Sequence, residues 1–379
     1  MATLIVIDEL AGSVVIGRGG QAMRPLQWLH GFERQGHNVI FLEFLKEDAG
    51  MATDSVVGYF QDTVTQWWHP DQSALILEDS TKSLYGLSID QVAKFAGKAA
   101  AVITLAAFYR REPHPLIADL RPRVLVEQDP AYTHLWAAGG DPREIFGQHD
   151  IYYTVGANVG SVRCSLPTSG IHWQPIWNPV VLDWWMPYCP VGRDRFTTVA
   201  DWRGYGYLEF EGQVLGPKSE EFRKFIAVPD LVGEQLEIVL NIDPQDPDIT
   251  YLADNGWKIE NPSLVHTPAL YREYVSGSLG EFSCAKGGYV GTRCGWFSDR
   301  SACYLAAGRP VVVQSTGFQD LLPVGEGLFA VTSPEEATEA IREIRADYTI
   351  HSKAARAIAV EHFDVDKITR NVLVDAGIA

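Results

Sequence analysis

Apolar residues in this chain come as short unbroken runs separated by stretches with helical spacing, and the alternation occurs twice. Runs at residues 4–7, 38–42, 75–77, 101–105 and 123–126 predict strands. Between them, residues 23–34 place Met23, Leu26 and Leu29 on one helical face, and 56–67 and 89–96 read as further helices. A second series begins near Arg195. Residues 196–200, 236–241, 257–259 and 311–313 predict strands, and 219–226, 270–275, 333–345, 352–362 and 366–376 predict helices. Strand–helix alternation of this kind argues for parallel, doubly wound sheets, so the fold class expected is α/β with two Rossmann-like domains. Residues 150–195, rich in Trp, Pro and Gly, read as irregular cover ending in a linker at 188–195.

Length agrees with two units, because 379 residues exceed what one ordinary core holds. The expected division is an N-terminal domain over 1–190, a C-terminal domain over 191–355, and a helix from 356 to 379 that crosses back to the first domain. Apolar residues make up 46% and charged residues 21%, a globular balance, and no apolar run reaches the ~18 residues of a membrane span. Five cysteines lack a metal-like or disulfide-like spacing, and the first residues lack the basic segment of a signal peptide. A cytoplasmic protein with reduced thiols is expected. A net charge of −17 argues against a nucleic-acid-binding surface, while leaving room for one local cationic pocket.

The most informative chemistry lies between residues 291 and 320. A polar, glycine-broken loop runs through Ser298, a helix N-cap, into a short helix stopped by Gly308, and Pro310 leads into the apolar strand. Such a helix start leaves backbone N–H groups and partial positive charge facing the loop, with Arg293 and Ser298 as further donors, which suits a phosphate or diphosphate. The alternative is a capped buried helix with Trp296 in the core. Gly19 and Gly20 follow the first strand without the spacing of a dinucleotide fingerprint, and let backbone approach a cleft. Trp173, Trp177, Trp184 and Trp185 suit either a sugar face or packing between domains, packing being favoured.

This stretch resembles the donor-binding signature of GT-B type nucleotide-sugar glycosyltransferases. Thr292, Cys294, Gly295, Trp296, Ser298, Gly308 and Pro310 match it. Arg293 stands where the family has a phosphate-binding His, Phe297 replaces an Asn, Ser301 replaces a ribose-binding Glu, and the closing pair is reversed as Gln319-Asp320. The resemblance implies two Rossmann-like domains facing across a cleft. It also implies transfer of a sugar from a nucleoside-diphosphate donor on the C-terminal domain to an acceptor on the N-terminal domain, with the donor as co-substrate and neither a cofactor nor a metal. The donor set it implies is Arg293, Gly295, Trp296, Ser298, Asp299, Gln319 and Asp320, with Arg203 and Lys218, and with Lys286 as a further cation. The acceptor-side loop is Gly19, Gly20 and Gln21.

Inverting members carry a general-base His in that loop, and the aligned residue here is Gln21, which takes no proton. Glu127 and Asp129, just past the 123–126 strand, are the candidate catalytic carboxylates, with Asp8 and Glu9 in reserve. A retaining branch is weakened because Cys303 stands where its paired Glu belongs, although Glu281 is similar to the acid near the transferred sugar in such members. Nucleotide-sugar epimerisation on the same fold and non-catalytic nucleotide or carbohydrate binding remain as alternatives.

Overall fold

A computed structural model of the chain describes residues 1–11, 18–46, 53–78, 82–106, 113–187 and 192–378. The expected alternation folds into two sheets. The first contains β1 (Thr3–Ile7), β2 (Asn38–Leu45), β3 (Ser73–Leu77), β4 (Ser83–Gly86), β5 (Ala99–Thr104), β6 (Arg123–Glu127), β7 (Ile151–Thr154) and β8 (Trp173–Pro175). Their order is β4-β3-β2-β1-β5-β6-β7-β8, parallel except for β4. A hairpin of β10 (Leu208–Phe210) and β11 (Gln213–Leu215) follows β9 (Arg193–Asp201). The second sheet joins β9 to β12 (Leu236–Asn241), β13 (Trp257–Glu260), β14 (Ser278–Ser283), β15 (Val311–Gln314) and β16 (Leu328–Val331). Its order is β13-β12-β9-β14-β15-β16, all parallel. Both sheets reverse direction of winding beside their first strand, and a parallel sheet opens its ligand crevice at the carboxyl ends of the strands around that point.

The central strands are buried on both faces, which is why they read as continuous apolar runs. Two parts of the pattern were misleading. Residues 150–195, expected to be irregular, supply β7 and the edge strand β8, too short at four and three residues to show alternation. Strand β14 sits in the middle of the second sheet, yet Gly280 and Glu281 interrupt its apolar run. Gly280 is required there because a Cβ would meet the Pro310 carbonyl oxygen at 2.6 Å. Of the expected linker, residues 188–191 lie outside the described residues, and 193–195 already belong to β9.

Contacts between the two sheet units are close and specific. The Gly19–Arg34 helix of the first unit presses its N-terminus onto the 265–271 segment of the second. A Cβ on Gly19 would lie 2.3 Å from the Thr267 carbonyl oxygen, and one on Gly20 would lie 2.7 Å from the Tyr271 ring. The last helix, Val365–Asp375, returns to the first unit, where the Arg34 guanidinium grips Asp366 through two 2.9 Å hydrogen bonds. Trp177 lies edge-on to Phe297 and Phe363, and the Trp185 indole donates to Gln27 Oε1 at 3.2 Å, so these tryptophans pack between the units. Among the described residues no helix is long and apolar enough to cross a membrane.

A Gly→Ala exchange within a helix ordinarily stabilises it. At Gly19 the sign is expected to invert, because the methyl group has no space against the Thr267 backbone. Gly19→Ala should lower stability by about 1–3 kcal/mol. Denaturant unfolding of the variant beside the wild type checks this, and an unchanged or raised midpoint would contradict the close approach.

Candidate active site between the two sheets

The carboxyl ends of both sheets border one cleft of about 460 Å³. From the first unit it is lined by Glu9, Arg18, Gly20, Gln21, Arg24, Gln128, Asp129 and Asn178. The second unit contributes the β9 end, the Gly204–Tyr205 turn, Lys218, the β12 end, Tyr271, Lys286, Tyr289, Trp296 and Ser298 through Arg300. Each strand end delivers its next few residues into the cleft. Asp201 ends β9, Gln128 and Asp129 follow β6, and Lys286 follows β14.

Cations concentrate on the second unit's wall. Lys218 is only 7% exposed, and among the described residues no hydrogen bond or ion pair engages its ammonium. Burial, then the charges of Arg300 and Lys286, bring it down to about 7. Arg300 spends its donors inside the protein, on Glu281 at 2.5 Å, the Val199 carbonyl at 2.9 Å and Ser283 Oγ at 3.0 Å. Lys286 is lowered by burial against the opposing charge of Asp129, whose Oδ1 lies 3.4 Å from its ammonium. That ammonium also stands 3.8 Å from the centre of the Tyr205 ring, a cation–π contact. Asp129 Oδ1 further accepts from the Tyr289 hydroxyl at 2.8 Å. Ser298 caps the Asp299–Ala306 helix by accepting from the Arg300 N–H at 3.3 Å, so the start of that helix faces the cleft with Asp299 in its first turn.

The residues expected from the sequence therefore separate into two groups. Trp296, Ser298, Asp299, Lys218, Asp129, Gly20 and Gln21 line the cleft. Arg293, Gly295, Gln319 and Asp320 do not; Arg293, Gly295 and Asp320 form a seam against the 156–163 loop of the first unit. Arg293 sits in left-handed backbone at φ 50°, and its guanidinium turns to Asp320 at 3.6 Å. Its carbonyl, with that of Gly317, accepts from Asn158 Nδ2, each at 3.1 Å. Gly295, at φ 80°, leaves 2.8 Å between a Cβ position and the Asn158 nitrogen, so a side chain there would part the seam. Gln319 donates to Ser315 Oγ at 2.6 Å. Arg203 is likewise elsewhere, forked onto Asp246 at 2.9 and 3.0 Å. Gly19 serves the contact between the units rather than the cleft.

Glu127, the other candidate carboxylate, does not line the cleft. It is fully buried beneath the cleft, where it accepts from Thr133 Oγ1 at 2.9 Å, from Thr154 Oγ1 at 2.7 Å, and from the Asp129 N–H. Burial first, and then the charge of Asp129, raise it to about 8. His134 Nε2 lies 4.0 Å away, but burial brings that ring down to about 4. Burial thus favours the uncharged form of both groups. Glu281 is also buried, in β14, and holds Arg300. Asp8 is buried under Arg24 at 2.7 Å and raised by burial to about 6, while Glu9 lines the cleft.

The sequence reading passed over Arg18, Arg24, Gln128, Tyr205 and Tyr289, all cleft residues. Lys286, expected from the sequence as a further cation, does line the cleft, just after the central strand β14. Arg18 reaches across the cleft to Asp201 at 3.1 Å and also donates to Gln21 Oε1 at 3.1 Å.

No family model matches the sequence, and no curated protein matches it either. Solved structures do. An alpha-glucosyltransferase in complex with UDP-glucose and DNA containing an abasic site superposes with a TM-score of 0.62 at 11% identity, covering 99% of each chain. HepE from Anabaena in complex with UDP-glucose gives 0.59 at 13% identity over 100% of both chains. Sucrose-phosphate synthase from Thermosynechococcus elongatus gives 0.56 at 14% identity, covering 98% of this chain and 97% of the other. At these identities the likeness is one of fold. The chain has the GT-B arrangement, two Rossmann-like units about a cleft. The exclusion of nucleic acid does not stand, because alpha-glucosyltransferases of this fold occur in complexes with DNA. Net charge summed over a whole chain does not fix the potential of one face.

Since Glu127 is raised from the ordinary carboxylate value to about 8, the stability it contributes is full below about 4.5 and is lost as pH rises through about 8. Glu127→Gln imitates the neutral acid and should lack that alkaline loss. Between pH 5 and 9 the unfolding free energy of the variant should gain on the wild type by a few kcal/mol, roughly. Denaturant titrations at both pH values check this, and parallel profiles would show that the buried acid does not titrate as described.

Proposed function

We propose that the protein is a glycosyltransferase that takes a sugar from a nucleoside-diphosphate donor held on the second unit. The observation that carries this reading is Lys218, a buried ammonium without an anion of its own, beside Lys286 and the start of the Asp299–Ala306 helix. An unpaired cation is costly to bury unless a ligand supplies the counter-charge. A diphosphate supplies it, and a helix start adds N–H donors to the same group. The similar structures support the reading, since an alpha-glucosyltransferase and HepE both hold UDP-glucose on this fold. That precedent favours transfer over epimerisation or simple binding.

In the proposed reaction the bond from the anomeric carbon to the diphosphate oxygen breaks as the acceptor oxygen bonds to that carbon. The departing nucleoside diphosphate gains negative charge, which Lys218 and Lys286 neutralise. Arg300, tied to Glu281, holds the wall in shape and adds to its field. Asp299 and Trp296 border the sugar end. Asp129, hydrogen-bonded by Tyr289 and Lys286, is the cleft carboxylate available to the acceptor's proton. The first unit is the acceptor side, and the four cysteines among the described residues, all free and buried, fit a reducing, cytoplasmic setting.

Incubation with UDP-glucose and other nucleoside-diphosphate sugars, with duplex DNA among the acceptors tried, should give free nucleoside diphosphate and thermal stabilisation. No binding of any such donor would end the proposal. Lys218 also makes donor binding pH-dependent. It is charged below about 7, and above that value binding must take up a proton, so UDP affinity should weaken as pH rises, by up to about tenfold per unit. Lys218→Met should weaken UDP binding at least about tenfold near pH 7 and abolish that dependence, as calorimetric titration would show.

A further inference from the structure

Lys218 opens the Lys218–Lys224 helix and lines the cleft, although it is only 7% exposed. The carboxylates around it are committed to other groups. Glu221, on the same helix, accepts from Lys224 Nζ at 2.8 Å and from Gln314 Nε2 at 2.7 Å. Asp201, at the end of β9, accepts from Arg18 at 3.1 Å and from Asn241 at 2.8 Å. Arg300 and Lys286 face Lys218 with like charge, while Asp201 and the Cys284 thiol just past β14 act the other way. Burial and the two cations prevail, and the ammonium gives up its proton at about 7. Lys286 differs, because Asp129 at 3.4 Å and the Tyr205 ring at 3.8 Å both hold its charge. The Ser298-capped start of the Asp299–Ala306 helix lies on the same wall.

A lysine desolvated beside other cations is a nucleophile near neutral pH. At a pH of about 7.5 roughly one ordinary lysine in a thousand is unprotonated, whereas most of Lys218 is. An aldehyde carbon takes such an amine, and an anionic group on the same molecule would be drawn to Lys286 and the helix start. We propose that Lys218 is a modification site, forming an imine with aldehydes that carry a phosphate group. The amine nitrogen bonds to the carbonyl carbon, the carbonyl oxygen takes both amine protons and leaves as water, and a carbon–nitrogen double bond remains. Nothing is oxidised or reduced, and water reverses the step. The inference rests on the reading of Lys218 as the donor's counter-charge and adds a regulation of that site. A phosphate-bearing aldehyde on Lys218 fills the place of the donor diphosphate, so such aldehydes inactivate the transferase reversibly.

Pyridoxal 5′-phosphate is the probe, with borohydride to fix the imine as a secondary amine and peptide mapping by mass to locate it. At a pH of about 7.5 the wild type should be labelled at Lys218 at least about tenfold faster than at any other lysine. The rate should climb through a pH of about 7, not through about 10 as for an ordinary lysine. Pyridoxal, which lacks the phosphate, should label Lys218 at least about tenfold more slowly. Label that maps elsewhere on the wild type overturns the inference, and so does equal labelling by pyridoxal; neither result depends on a variant that folds. Lys218→Arg keeps a cation without a nucleophile, and should lose the fast label while the slow labelling of other lysines persists. Fast labelling of that variant also overturns the inference. UDP should slow the labelling of Lys218 in the wild type. Fast labelling of Lys218 that UDP leaves unchanged would uphold the imine and remove the donor reading instead.

Discussion

Two parallel sheets can share a ligand between their carboxyl ends only where their backbones meet at the rim of the cleft. Here that meeting depends on glycines. Gly20 lets the first helix rest on the Tyr271 ring, and Gly295 lets the loop after Thr292 reach the Asn158 backbone. With the rim closed in this way, Lys218 and Lys286 lose water, and their charges act through a medium that screens them weakly. The cleft's electrostatics are therefore a consequence of backbone proximity at positions well away from the cations themselves.

Within the cleft, charge is arranged in layers. The inner layer pairs Arg300 with Glu281 and Arg24 with Asp8, ions that satisfy one another and fix the walls. The outer layer leaves Lys218 unpaired on one wall and Gln128 Nε2 unpaired on the other. Between them Asp129 is held by Lys286 and Tyr289. The unmet ammonium on the second unit's wall calls for an anion. The chain's overall acidity says little about this pocket, because a few buried cations outweigh many solvated carboxylates at short range.

Particular segments show how far the sequence could be read. The strand at 236–241 and the helix at 333–345 were legible because an apolar run and a Ser–Pro–acid cap are local signals. Strand β14 was not, since Gly280 and Glu281 are there for a tertiary reason, the Pro310 backbone on one side and Arg300 on the other. The loop at 291–320 was found as a unit, but it divides in space. Trp296, Ser298 and Asp299 face the cleft, whereas Arg293, Gly295 and Asp320 face the other sheet unit. A linear motif cannot record that division, because a left-handed turn at Arg293 decides it.

By itself, the sequence determined the class of fold. Hydrophobic periodicity and helix caps are set by residues close in the chain, and they specify two series of strands and helices. It also determined that the 298–306 helix starts at a capped N-terminus and that the candidate carboxylates follow β6. Only the tertiary structure decided which of those carboxylates meets solvent. Glu127 points down among Thr133, Thr154 and His134, while Asp129, one turn of backbone further on, reaches the cleft. It likewise decided that Lys218 is bare while Arg203 is neutralised by Asp246. Burial and pairing depend on residues distant in the chain, and those are the quantities that convert a side chain's chemistry into a role.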